Sequence, residues 1–132
     1  MVATTSESTP VVIDADGVQV RTREIGGDLT VCFVRLPAGT DLGPALVGLP
    51  DDLCPCPHWG YLFRGEISVA YDSGQQETFG AGHAFYTPAG HTSWRAVAGT
   101  EMLMFSPADL LAEVEAAITT MMQASAAPGA QG

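Results

Sequence analysis

The stretch "CPCPHW", residues 54–59, sets two thiols and an imidazole at alternate positions, Cys54, Cys56 and His58, with prolines between them. Thiolate sulfur and imidazole nitrogen hold zinc and other first-row ions in preference to magnesium or calcium, which favour oxygen. In an extended chain the three side chains share one face, with neighbours at i and i+2 roughly 7 Å apart. Two of them can then reach one ion. All three would span about 13 Å in a straight strand, too far for bonds near 2.3 Å unless Pro55 and Pro57 bend the chain. Proline has no N–H to give to a sheet, which places the segment at a strand start, an edge or a bulge. A second stretch, "GHAFYTPAGHTSW", holds a turn shaped by Gly82, Pro88 and Gly90 with His91 at its tip. His91 stands where it can complete a site begun by the first stretch. His83, straight after a glycine, reads as a solvent-facing turn residue. The other chemistry open to Cys54 and Cys56 is a disulfide, strained at this spacing and therefore reducible and at best regulatory.

The elements that must carry these residues are short strands. "VVID", "VQVRTR", "TVCFVRL", "HWGYLFR", "EISVAY", "QETF", "HAFYTP", "TSWRAV" and "EMLMF" are rich in β-branched and aromatic residues and separated by turn formers. In "EISVAY" the residues Ile67, Val69 and Tyr71 share one face, the period-two pattern of a strand. Asp72, Ser73 and Gly74 supply the turn of a hairpin after it. Ser106, Pro107 and Asp109 read as a helix start, with serine as N-cap and proline at the first helical position. Leu110, Leu111, Val114, Ile118, Met121 and Met122 then fall on one helical face, expected to pack on the outside of the strands or at a contact between two copies. Cys32, within "TVCFVRL", is an apolar strand residue.

Composition narrows the function. The chain has 132 residues, enough for one domain with a real core, and 46% of them are hydrophobic. Its formal charge is −10, from 15 acids against five arginines and no lysine. With no basic cluster, nucleic acid and anionic membrane are poor partners. No basic, apolar leader opens the sequence and no apolar run approaches the ~20 residues of a spanning helix, so the expected location is the cytoplasm, where thiols stay reduced.

The glycine and proline framework resembles that of the cupin superfamily. The usual first cupin motif has two histidines one residue apart, then a glutamate, then a glycine seven positions after it. Gly65 fits that glycine, which puts His58 at the glutamate position and the histidine pair near Asp52 and Cys54, with Cys56 in the gap. The second motif, glycine, five residues, proline, any residue, glycine, is matched by Gly82, Pro88 and Gly90. Its histidine falls at Ser93, with His91 two residues earlier, and its asparagine at Val97. The resemblance covers residues 29–106. It implies an all-β, cupin-type jelly-roll barrel with one C-terminal α-helix, a homodimer, and one divalent ion in the barrel mouth. The expected divisions are a disordered N-terminus at 1–9, the barrel at 10–106, the helix at 107–124 and a flexible tail at 125–132.

Together these readings give a small-molecule metallo-cupin whose ion is held by some of Cys54, Cys56, His58 and His91. Zinc suits such a set best, with iron or nickel as alternatives. Four protein ligands would close the site and make the ion structural. Three would leave a position open for an oxygenase or isomerase acting on a small organic acid or carbonyl compound. The alternative is a ligand-binding or sensing barrel without catalysis, its ion structural or absent. Strand parity from His58 and Ser93 turns Leu62 and Arg95 inward, where Arg95 would anchor a carboxylate. Trp59, Tyr86 and Ser93 complete the expected pocket. Asp51 and Asp52 read as exposed loop acids.

Overall fold

The computed structural model describes residues 3–126 except Gly48. Seven antiparallel strands form one sheet: β1 (Val11–Ala15), β2 (Val18–Gly26), β3 (Leu29–Leu36), β4 (His58–Tyr71), β5 (Gln76–Gly80), β6 (Ala84–Thr87) and β7 (His91–Pro107). They run in the order β1-β2-β3-β7-β4-β5, with β6 paired to β4. A helix, α1 (Ala108–Ala126), follows. The sheet curls into a barrel because the alternate residues that face inward are apolar. Val18 and Val20 of β2, Cys32, Val34 and Leu36 of β3, Leu62, Ile67 and Val69 of β4, and Met102 and Met104 of β7 are all buried in one core. Each large aliphatic side chain so buried stabilises the fold by roughly 1.5–3 kcal/mol.

Four of the short strands expected from the sequence are fused in pairs. "HWGYLFR" and "EISVAY" are one strand, β4, and "TSWRAV" and "EMLMF" are one strand, β7. These two pair along their whole length, with register shifts between Leu62 and Ile67. Gly65 lies inside the shifted region at φ +91°, and a Cβ there would sit 2.3 Å from the Gly99 carbonyl oxygen. The breaker signal in "RGE" and "AGT" is therefore a bulge at which two backbones meet, not a turn. Thr100 staples it: its hydroxyl donates to the carbonyls of Glu66 and Ala98, and the Glu66 N–H donates back to it.

The helix differs from expectation at its start and in its position. β7 continues through Pro107, and α1 begins at Ala108, whose N–H donates to the carbonyl of Asp28 at 2.9 Å. Ser106 is thus a strand residue and not an N-cap; its side chain is fully buried and used elsewhere. The predicted apolar face is present in Leu111, Val114 and Ile118, all buried, with Leu110 and Met121 packed at its margin. The Met122 side chain lies outside the described residues. This face closes one end of the barrel interior, together with Leu42 and Leu46. At the other terminus, residues 3–9 form a turn held by side-chain bonds, in which the buried Thr9 hydroxyl meets Thr4 and the Thr5 carbonyl. Of the expected C-terminal tail, 127–132 lie outside the described residues.

Candidate metal centre

Cys54, His58 and His91 converge inside the barrel. One potential ligand atom from each lies within 4.8 Å of the others, and all three residues are buried. Tetrahedral bonds of about 2.3 Å to sulfur and 2.0–2.1 Å to nitrogen put donor atoms about 3.3–3.6 Å apart, so a small inward adjustment closes the three onto one ion. The convergence has a backbone cause. Cys54 pairs with His91 as an isolated bridge: the Cys54 N–H donates to the His91 carbonyl at 3.0 Å, and the Gly90 N–H donates to the Cys54 carbonyl at 2.8 Å. His91 in turn opposes Tyr71 at the start of β7, while His58 opens β4 opposite Thr87. Prolines 55 and 57 leave residues 55–57 outside the strand ladder, so the chain passes from the bridge to β4 without a straight run.

Both imidazoles are held by their Nδ1 atoms. His91 Nδ1 lies 3.1 Å from the Pro88 carbonyl, which can only accept, so that nitrogen carries the proton and Nε2 keeps its lone pair. His58 Nδ1 bonds the Ser106 hydroxyl at 2.7 Å. The two rings are 5.3 Å apart between centroids, and Trp94 touches both, at 5.4 Å from His58 and 5.6 Å from His91. Burial, and secondarily the neighbouring His91, pushes the His58 pKa down to about 3. Burial also lowers that of His91, against the opposing effect of its bond to Pro88. Both rings are neutral at pH 7, the form that ligates a metal. Burial pushes the Cys54 thiol up to about 11, so it keeps its proton unless a cation displaces it.

Cys56 stands outside this group. It is fully buried, but its Sγ contacts the Pro57 carbonyl at 3.5 Å, and burial, then Cys54, raise its pKa to about 12. The nearby Ser106 hydroxyl, which bonds His58, opposes that rise. The three cysteines are free thiols.

The remaining expected pocket residues are divided. Leu62 is inward and completely buried. Trp59 and Tyr86 are stacked on each other outside the barrel, 45% and 50% exposed. Arg95 is exposed as well, because the register shifts between Ala70 and Tyr71 of β4. That shift moves the inward parity of β7 by one residue, from Arg95 to Trp94. The Ser93 side chain lies outside the described residues. Asp51 and Asp52 are exposed, as is His83.

The three converging residues form one wall of a cavity of about 60 Å³, whose other walls are Ile13, Val34, Met102 and Met104 of the barrel and Leu111, Val114, Glu115 and Ile118 of α1. Trp94, one of the aromatics with Trp59, Tyr61 and Tyr86 that the sequence offered for an apolar mouth or the core, is buried here against both imidazoles. Two residues were not expected at the site: Ser106, which looked like a helix cap, and Glu115, whose position between Val114 and Ile118 was the available signal.

The architecture matches solved structures across most of the chain. A cupin described as RmlC-like, from Shewanella frigidimarina, aligns with TM-score 0.56 at 17% identity over 79% of this chain and 88% of its own. The chain has the cupin fold. An ectoine synthase from P. lautus aligns to that fold with TM-score 0.58 at 15% identity, over 81% of this chain and 78% of its own. An oxalate decarboxylase of Bacillus subtilis aligns with TM-score 0.56 at 19% identity over 76% of this chain, which spans only 28% of that enzyme. No family model and no curated protein matches the sequence. In this example of the cupin fold the inward donors are one thiol and two imidazoles, and no helix among the described residues is long and apolar enough to cross a membrane.

Proposed function

We propose that the chain is a small-molecule metallo-cupin that binds one divalent transition ion, zinc first, through Cys54, His58 and His91. The observation that carries the reading is the convergence of three buried donors within 4.8 Å, with the His91 proton fixed on Nδ1 by Pro88. Ser106 orients His58 in the way a hydroxyl or carbonyl commonly orients a metal-binding histidine. Three protein ligands would leave one coordination position, and the same three residues line the cavity. When bound, the ion would supply a Lewis acid at that position. The other walls are mostly apolar, with Glu115 as the one charged residue and no arginine among them, which favours a carbonyl or hydroxyl compound over an organic acid. An oxygenase or isomerase fits an open site of this kind.

One observation favours the non-catalytic alternative. A cavity of about 60 Å³ under α1 holds only a few non-hydrogen atoms, which suits a sensing or structural ion better than turnover of a substrate. The aromatic residues on the outer face of the barrel, Trp59, Tyr61, Phe63 and Tyr86, are 41–52% exposed and adjoin one another across β4 and β6. Such a patch fits a second copy of the chain, as a homodimer.

The test is cobalt titration of chelator-treated protein under reducing conditions, followed by thiolate-to-metal absorption and by elemental analysis after zinc loading. The expected result is one ion per chain, lost in Cys54→Ala and in His91→Ala and retained in Cys56→Ala. No thiolate band in the parent, or equal dependence on Cys56, overturns the three-ligand site.

A further inference from the structure

Among the described residues only two buried side-chain oxygen or nitrogen atoms lack a hydrogen-bond partner: Thr87 Oγ1 and Glu115 Oε2. A buried carboxylate oxygen without a donor is costly, of the order of kilocalories per mole, and persists in native proteins for a reason. Glu115 is the acid on the buried stripe of α1, flanked by Leu111, Val114 and Ile118, and it lines the same cavity as Cys54, His58 and His91. It stands outside the group of three donors that converge within 4.8 Å. Burial raises its pKa, with no compensating donor to lower it. Nothing in the packing of α1 needs a carboxyl here: Glu115 is half-buried, its neighbours on the helix face are Leu111, Val114 and Ile118, and a leucine would satisfy the same stripe.

We infer that Glu115 is the recognition residue of the cavity, accepting a hydrogen bond from the hydroxyl or amino group of a small, otherwise apolar ligand. Away from the wall formed by Cys54, His58 and His91 the lining is almost entirely apolar, so Glu115 is the carboxylate acceptor on the α1 side and sets the ligand's orientation there. Its donor points to α1 and its body lies among Ile13, Val34, Met102 and Met104. A ligand of more than a few non-hydrogen atoms requires α1 to lift, and the acceptor then arrives with the helix. The inference rests on the small-molecule half of the proposed function and not on the ion.

The experiment uses the full chain stripped of metal, so that a failed metal reading and a failed Glu115 reading give different results. Isobutanol, isobutylamine and isobutyrate share one branched skeleton and differ in the polar group. Binding is measured for each by ligand-observed saturation-transfer NMR and by amide shift changes on the parent, Glu115→Gln and Glu115→Leu. Expected are binding of the alcohol and the amine to the parent, at least a tenfold weaker interaction with Glu115→Leu, and no binding of isobutyrate. Glu115→Leu is also expected to have a higher urea midpoint than the parent, which establishes that it folds and that the carboxyl is kept at a cost to stability. Equal binding of the alcohol and amine to parent and Glu115→Leu overturns the inference. So does no binding of either to the parent, or a lower urea midpoint for the leucine variant.

Discussion

Acid should unfold the metal-free protein through its two buried imidazoles, and the size of the effect follows from their surroundings. In the unfolded chain a histidine titrates near 6.5. In the folded chain His58 is held down to about 3 by burial and by His91. Between those values the unfolded state binds a proton that the folded state refuses, so stability present above pH 6.5 is lost as the pH falls towards 3. For His58 alone the loss between pH 7 and pH 5 is about 2 kcal/mol, from a slope approaching 1.36 kcal/mol per pH unit. His91 shifts in the same direction and adds to it. Glu115 opposes: its pKa is raised, so the folded state holds its proton more tightly and gains stability as the pH falls. Cys54 and Cys56, at about 11 and 12, stay protonated over this range and contribute nothing to the slope.

The assay is urea unfolding at pH 7, 6 and 5 in chelator and reductant, read by tryptophan fluorescence. Glu115→Gln removes the opposing carboxyl and is expected to steepen the loss. His58→Gln is expected to flatten it by roughly the amount worked out above. A metal-free Glu115→Gln variant, in which nothing opposes the imidazoles, that loses less than about 0.5 kcal/mol from pH 7 to pH 5 would refute the claim that these rings are buried and neutral.

The bulge and the shell around His58 give further expectations. Gly65→Ala places a Cβ against the Gly99 carbonyl at φ +91°, whereas Gly74→Ala, at φ +89°, meets nothing within 4 Å. The first should cost about 3 kcal/mol or prevent accumulation, and the second about 1 kcal/mol, measured by urea unfolding. Ser106→Ala frees the His58 ring and should weaken zinc about 10–100-fold in competition titrations, whereas an unchanged affinity means Ser106 does not orient the ligand. Trp59→Glu, in the centre of the exposed aromatic patch, should leave a folded monomer if that face pairs two copies, as read by light scattering after size exclusion.

The sequence carried the fold because strands announce themselves locally: period-two runs such as Ile67, Val69 and Tyr71 are set by one side of a sheet being wet and the other dry. Local pattern also singled out Cys54, Cys56, His58 and His91, since thiols and imidazoles in strand context are few in this chain, but it could not say that Cys56 would stand apart from the other three. What it could not fix was parity across a bulge. The single register shift near Tyr71 exchanged Arg95 for Trp94 inside the barrel, and with it a cationic anchor for an aromatic wall. That exchange changes the chemistry expected of the ligand, from a carboxylate to a molecule that needs no positive charge. Ser106 failed for a different reason. Serine before proline is equally good as a helix cap and as the end of a strand, and the choice was made by His58, 48 residues away, which takes up its hydroxyl. Glu115 differs again. An acid at the edge of an apolar stripe is ordinary on a helix whose far side faces water. It becomes informative only once the stripe closes a barrel, because one oxygen of the half-buried carboxyl, Oε2, is then cut off from water and finds no donor among the described residues.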